Sequence, residues 1–440
     1  MRVCTVLFLS LTISASAGFA AAAAGTTTLQ VTPEFVNALA EEARTNNPAL
    51  RAATARAEAA ALHSGTIPTW DDPMARLGVM GAERMMRQTE GDLLYGVEQK
   101  LPLWGKPQAE RRMAQAGAKV GEAAATLRHQ ELKRDLAKAV FKAALADRTL
   151  ALDRDDLRWL DTLLEATQRR HETGEATLAE VLRLQNERSR RANQLETDTQ
   201  WQGQARANLN RLLNRPLESP WPELILPPVA GPVHFNEELV RIAVQYAPEL
   251  KLRQEEIREA EAALEVSRRA RLPDVVAGAE VRQSSGDADF RQSMVTLGVN
   301  LPWGNRKRYR AAVERDAAKL HATQFDAADY ELSLRNEVRA LTVRIDGARR
   351  EALLYRDQIL PRSETALASA RAAWETGRGL FRDVLEARRM LVEAQLMQAR
   401  AVTEQYEMLA ELVLCCGLGD LEALQMIGAA PDSEDGGTKP

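Results

Sequence analysis

Two hydrophobic rhythms alternate along the chain. Over 108–171, apolar positions recur in steps of four and three: Leu132, Leu136, Ala139, Ala143, Ala146, Leu150, Asp153, Leu157, Leu160 and Leu164. This is a heptad seam with Asp153 as its polar interruption. At about 1.5 Å per residue, one helix over that stretch is about 100 Å long, too long for a compact globule. A second seam runs through 307–374 at Leu334, Val338, Leu341, Ile345, Ala348, Ala352, Tyr355 and Ile359, and Pro361 is placed to kink that helix. Ahead of each long helix the period drops to two. Leu77, Val79, Tyr95, Val97 and Leu101 alternate with Arg76, Glu98 and Lys100. Val275, Ala277, Ala279, Val281, Val295, Leu297 and Val299 alternate with Glu280, Arg282, Gln292, Thr296 and Asn300. β-Hairpins are expected over 75–101 and 274–301. Shorter helices are expected over 33–63, broken at Asn47-Pro48, and over 178–213 and 380–416.

The order of these elements occurs twice. Glu172-Thr173-Gly174 is followed by Val181-Leu182, and Glu375-Thr376-Gly377 by Val384-Leu385 at the same distance. Each Gly sits between two helical stretches and reads as the tip of a helical hairpin. Asn47-Pro48 is answered by Ala247-Pro248, and Leu101-Pro102-Leu103-Trp104-Gly105 by Leu301-Pro302-Trp303-Gly304. The chain therefore divides into a first repeat over 32–216, a Pro-rich linker over 217–235 and a second repeat over 236–418, followed by a polar, disordered tail over 419–440. In each repeat the helix before the hairpin and the helix after the tip are each about half a long helix. Placed end to end, they match one long helix and build a wall that needs no other core.

Composition narrows the class. Charged residues make up 27% and aromatics 5%, which favours long helices with narrow seams over one thick core. A net charge of -4 gives no electrostatic case for nucleic acid. Arg2, the apolar run 6–13 and Ala22-Ala23-Ala24 form an export signal over 1–24. Cys4 leaves with it, and Cys415 and Cys416 read as small buried residues at a helix end. The five histidines have neither metal-ligand spacing nor a nucleophile partnership, so no enzyme chemistry and no cofactor are expected.

The strands decide the reading. Four strands of about ten residues, apolar on one face and charged on the other, have the length and pattern of a transmembrane barrel around water. Four strands cannot close, and lipid forbids an open edge, so closure takes several copies. Two copies give eight strands, usually filled by side chains; three give twelve and leave a lumen. Trp104 and Trp303 fall at strand ends, where aromatic girdles lie.

The duplicated tips, the Leu-Pro-Trp-Gly strand ends and the paired Asn-Pro and Ala-Pro helices resemble the TolC-type outer-membrane efflux channels, over about 32–417. That family's tip motif is an aromatic, Gly three residues on, then Asp-Val-Leu-acid-Ala. Trp374, Gly377, Asp383, Val384, Leu385, Glu386 and Ala387 match it. The first copy departs from it with His171, Glu180 and Arg183. The resemblance implies a mostly α protein with a small transmembrane β part: a homotrimeric α-helical barrel capped by a twelve-stranded β-barrel. It implies the outer membrane of a Gram-negative bacterium, a long periplasmic extension, contact with outer-membrane lipid, and a passive exit duct serving a periplasmic adaptor and an inner-membrane efflux transporter. It also implies a periplasmic gate at Asp383 and Glu386, with Trp374, Arg378 and Arg382. Adaptor-docking tips are implied at Arg170, His171, Gly174, Val181, Leu182, Gly377, Val384 and Leu385. The strand-end wording is nearer to the heavy-metal branch, although the lipid-bearing amino-terminal Cys of many relatives is absent. The competing reading is a periplasmic adaptor or structural coiled coil without a pore.

Overall fold

The computed structural model describes residues 28–80, 92–284 and 289–419. The export signal, residues 81–91 and 285–288, and the tail beyond 419 lie outside them. The first repeat holds β1 (Thr28–Gln30), α1 (Pro33–Asn46), α2 (Pro48–Thr66), β2 (Met74–Met80), β3 (Asp92–Leu101), α3 (Lys106–Glu172) and α4 (Leu178–Leu213). After β4 (Glu223–Ile225) the second repeat follows with α5 (Glu237–Tyr246), α6 (Pro248–Arg269), β5 (Asp274–Ser284), β6 (Phe290–Asn300), α7 (Arg306–Leu354), α8 (Leu360–Glu375) and α9 (Phe381–Cys416). Sequence and structure agree on the 178–213 helix and on the break at Asn47. Thr32 caps α1 by accepting from the Phe35 N–H, and Pro takes the first position of α1, α2 and α6.

The short helices do join end to end, and one side chain shows how. Asn47 accepts from the N–H groups of Ala49 and Leu50 at the start of α2, while its amide donates to the Leu212 carbonyl at the end of α4, 2.7 Å away. It thus caps one helix and finishes another. In the second repeat the same joint has no such side chain. Gly417 closes α9 at φ 61° and lies so close to the Tyr246 carbonyl that a Cβ there would overlap it. Only glycine fits that position.

Each composite column then packs along a long helix. α2 and α4 lie along successive stretches of α3; α6 and α9 lie between α3 and α7. The adjacency runs α2–α4, α3, α6–α9, α7. Leu132, Leu136, Leu150 and Leu160 on the α3 seam are buried, as are Leu334, Val338, Leu341 and Ile345 on the α7 seam. Each fully buried Leu contributes about 2 kcal/mol, against about 0–1 for an exposed ion pair, so the seams hold the wall.

The four long strands form one antiparallel sheet in the order β2-β3-β5-β6. Its register puts Leu77, Tyr95 and Val281 in line on one face, and Arg76, Gly96 and Glu280 on the other. The alternation read from sequence is thus one apolar and one polar face. Leu77, Val79, Val295 and Leu297 are more than two-thirds exposed, and β2 and β6 carry free edges.

Two features go beyond the sequence expectation. The 217–235 segment is no free linker: β4 pairs in parallel with β1, Leu224 and Val233 are buried, and Gln405 and Tyr406 of α9 bond the backbone at Ala230 and Pro228. At Pro361 the helix is relieved by a π-helical turn at Tyr355–Ile359 just upstream. The missing N–H and the ring's clash with the preceding turn are absorbed by widening that turn.

Candidate functional site

The two hairpin tips meet at one end of the molecule. Leu160 and Leu163 of α3, Leu184 of α4, Trp374 of α8, and Phe381 and Val384 of α9 form a small buried core of their own. Trp374 meets Phe381 edge-on at 5.6 Å, and the Arg170 guanidinium lies 4.6 Å from the indole centre. Arg170 also pairs with Glu175 at 3.5 Å. Trp374, grouped by the motif with gate residues, is a core anchor joining the tips. Phe381 was not singled out from sequence, although its spacing of three from Val384 along α9 is that of a helical core face.

The turns themselves are glycine-dependent. Gly174 and Gly377 take φ 79° and 73° with open space around them. At the first tip His171 Nδ1 lies 2.8 Å from the Ala176 carbonyl, Val181 is buried, and Leu182 is exposed. At the second, Val384 is buried and Leu385 half-buried, while Arg378, Arg382, Asp383 and Glu386 stand exposed. Asp383 has one weak ion pair, with Arg382 at 3.8 Å. One helical turn separates Asp383 from Glu386, so both carboxylates project from the same exposed stretch.

Behind the tips lies a buried ionic network that the seam pattern showed only as Asp153. Arg191 of α4 bonds Asp153 at 3.0 Å and Asp156 at 2.7 Å, and Arg388 of α9 bonds the other oxygen of Asp156 at 2.8 Å. Both aspartates are almost wholly buried. Asp198 faces Asp153 carboxyl to carboxyl, an arrangement that bonds only with a proton between the two oxygens. Burial, with Asp198 adding to it, pushes Asp153 up to about 7. Arg389 of α9 forks onto Glu187 of α4 at 2.6 Å. The α8–α9 hairpin is thereby tied to α3–α4 by Arg388 and Arg389. Further up, Asp147 is buried against Arg206, Gln202 and the Leu224 N–H, pinning β4 to the helices. Asp147 and Asp156 escaped the sequence reading because their ion-pair partners, Arg206, Arg191 and Arg388, lie 35 or more residues away on other helices.

At the opposite end of the helices, Trp104 and Trp303 are both more than half exposed, directly after β3 and β6. Trp104 adopts φ 62°, rare for a bulky residue, with the Arg269 guanidinium bonded to the Gly105 carbonyl at 2.7 Å. Cys415 and Cys416 are buried, and burial pushes the Cys416 thiol up to about 12 and Cys415 in the same direction. Both are neutral thiols in contact with the core.

A duplicated wall of paired helices, with a small sheet at one end and joined hairpin tips at the other, is the architecture of one subunit of an outer-membrane channel. The chain belongs to the outer membrane efflux protein family, whose model matches residues 39–215 and 239–418. It is an outer-membrane efflux channel protein and not an enzyme. Its fold is similar to the outer-membrane channel OprN, at 18% identity and TM-score 0.76, covering 88% of this chain and 90% of that one. It is similar to CusC at 16% identity and TM-score 0.77, covering 88% and 93%. The Campylobacter jejuni CmeC outer membrane channel matches at 15% identity and TM-score 0.75, covering 91% and 90%. No curated protein sequence matches the chain.

Proposed function

We propose that three copies close head to tail into one duct, a twelve-stranded barrel in the outer membrane continued by a helical tunnel through the periplasm. The observation that carries this is the pair of unfinished edges. The wall ends at α7 on one side and at α2–α4 on the other; the sheet ends at β6 and β2 on those same sides. α7 bears a second apolar stripe, Phe325, Leu332, Val343 and Leu354, all exposed. Its spacing of seven and eleven residues places it opposite the buried seam. On the other edge Leu62 and Trp201 are exposed. Two different edges demand a heterologous contact, which closes as a ring when the rotation from copy to copy completes a full turn. Members of the family form trimeric channels that work with adaptor and inner-membrane pump partners, in line with this reading.

In the ring the tips face the periplasmic entrance. Asp383 and Glu386 from three copies stack as acidic rings that favour cations and restrict the aperture, with Arg378 and Arg382 as their neighbours. The exposed tip residues Leu182 and His171 form the adaptor-docking rim; Arg170, Val181 and Val384 support it from beneath, Leu385 borders it, and Gly174 and Gly377 shape it. Cations, heavy-metal ions among them, are the cargo such an entrance suits. Planar-bilayer recording tests this: stepwise, cation-selective conductance is expected, and Asp383→Ala with Glu386→Ala raises conductance and weakens selectivity. Unchanged traces in the double variant would sink the gate.

A further inference from the structure

All four strands change to helix at one level, and the crossing segments are 70–73, 100–106, 268–274 and 303–310. They carry nine lysines and arginines against three aspartates, in a chain whose net charge is -4. Lys100 pairs with Asp71, Lys106 with Asp274 and Arg269 with Glu265. The remaining six, Arg268, Arg271, Arg306, Lys307, Arg308 and Arg310, are exposed and have no ion pair among the described residues. Three of them open α7, whose first turn holds no acid, so they stand at the positive end of that helix dipole and oppose it. Arg308 lies 5.9 Å from the Tyr309 ring centre, and among the described residues no carboxylate accounts for the charge of any of the six. Trp70, Trp104 and Trp303 lie in the same segments, each more than half exposed.

We infer that this collar binds the phosphate headgroups of anionic phospholipids in the periplasmic leaflet. The inference rests on the membrane-spanning sheet. Aromatic rings set the depth at which the protein sits, and the cations directly below them meet the layer of negative headgroups. Such attraction is worth roughly fivefold in lipid affinity per cation near the surface and falls with salt.

The test uses the mature full-length protein reconstituted into vesicles of phosphatidylcholine, alone or with phosphatidylglycerol. Flotation reads insertion, and native mass spectrometry reads the lipid retained after extraction. Preferential retention of phosphatidylglycerol is expected, reduced at high salt. It should be abolished by joint Arg306→Gln, Lys307→Gln, Arg308→Gln and Arg310→Gln, and weakened by Arg268→Gln with Arg271→Gln. Insertion into both vesicles with equal retention of the two lipids contradicts the collar alone, as does retention unmoved by the quadruple variant. Displacement of the lipid by low inorganic phosphate contradicts a lipid-headgroup site. Failure to float with either vesicle contradicts the membrane-spanning sheet and the collar with it.

Discussion

At the first tip, an unbroken 67-residue helix turns at Gly174 into α4, and Thr177 and Glu180 close the turn with reciprocal backbone bonds. At the second, the incoming helix carries the π turn and Pro361, and Leu380 stands at the cap position with no side chain to offer. Both arrangements descend from one duplicated phrase, yet one is capped and continuous and the other is uncapped and interrupted. The second tip is instead held from outside, through Trp374 in the shared core and through Arg388 and Arg389 reaching the first hairpin. In the channel proposed above, this difference makes the first hairpin the fixed support and the second the moving part of the entrance.

The largest test of that asymmetry is Trp374→Ala. Emptying the shared core costs about 3–5 kcal/mol locally. Amide exchange should quicken a hundredfold or more through 370–390 and far less through 165–185; equal quickening would erase the distinction. Arg388→Ala leaves Asp156 buried with one partner, a loss of roughly 3 kcal/mol. It should raise single-channel conductance, whereas an unchanged conductance would make the network purely structural. Smaller again, Thr177→Ala removes one cap, about 1 kcal/mol. It should fray the start of α4 in exchange measurements and leave conductance alone.

A pH dependence sharpens the same comparison. Asp153 faces Arg191, Asp198 and, through Asp156, Arg388. Its folded value is raised above that of an unfolded carboxyl, so its contribution to stability is full below the ordinary carboxylate range and is lost as pH rises through about 7. Unfolding by denaturant should therefore be easier at pH 8 than at pH 6, and Asp153→Asn should flatten that slope. A slope unchanged in the variant would place its origin elsewhere.

Much of this architecture was legible because it is local. Glu-Thr-Gly, Asn47-Pro48 and the period-two runs announce turns, breaks and strands within a few residues. Gly417 and Asn47 made the end-to-end joints possible, but only the helix lengths hinted at them. What stayed hidden depends on distant partners. Asp147 and Asp156 look like surface acids until Arg206, Arg191 and Arg388 arrive from other helices. The β1–β4 pair is three residues long on each side, too short for a periodic signal. Trp374 was visible as a motif aromatic, but its burial follows from Phe381 and Leu184 closing over it.

The central claim is that unlike edges of one chain meet in a closed ring of three. Light scattering of the detergent-extracted mature protein, corrected for bound detergent, tests it most directly. The account predicts three times the chain mass, falling to a single chain mass when Phe325 and Leu332 on the exposed stripe are both changed to Asp. A wild-type monomer or dimer that stays soluble without detergent would contradict it.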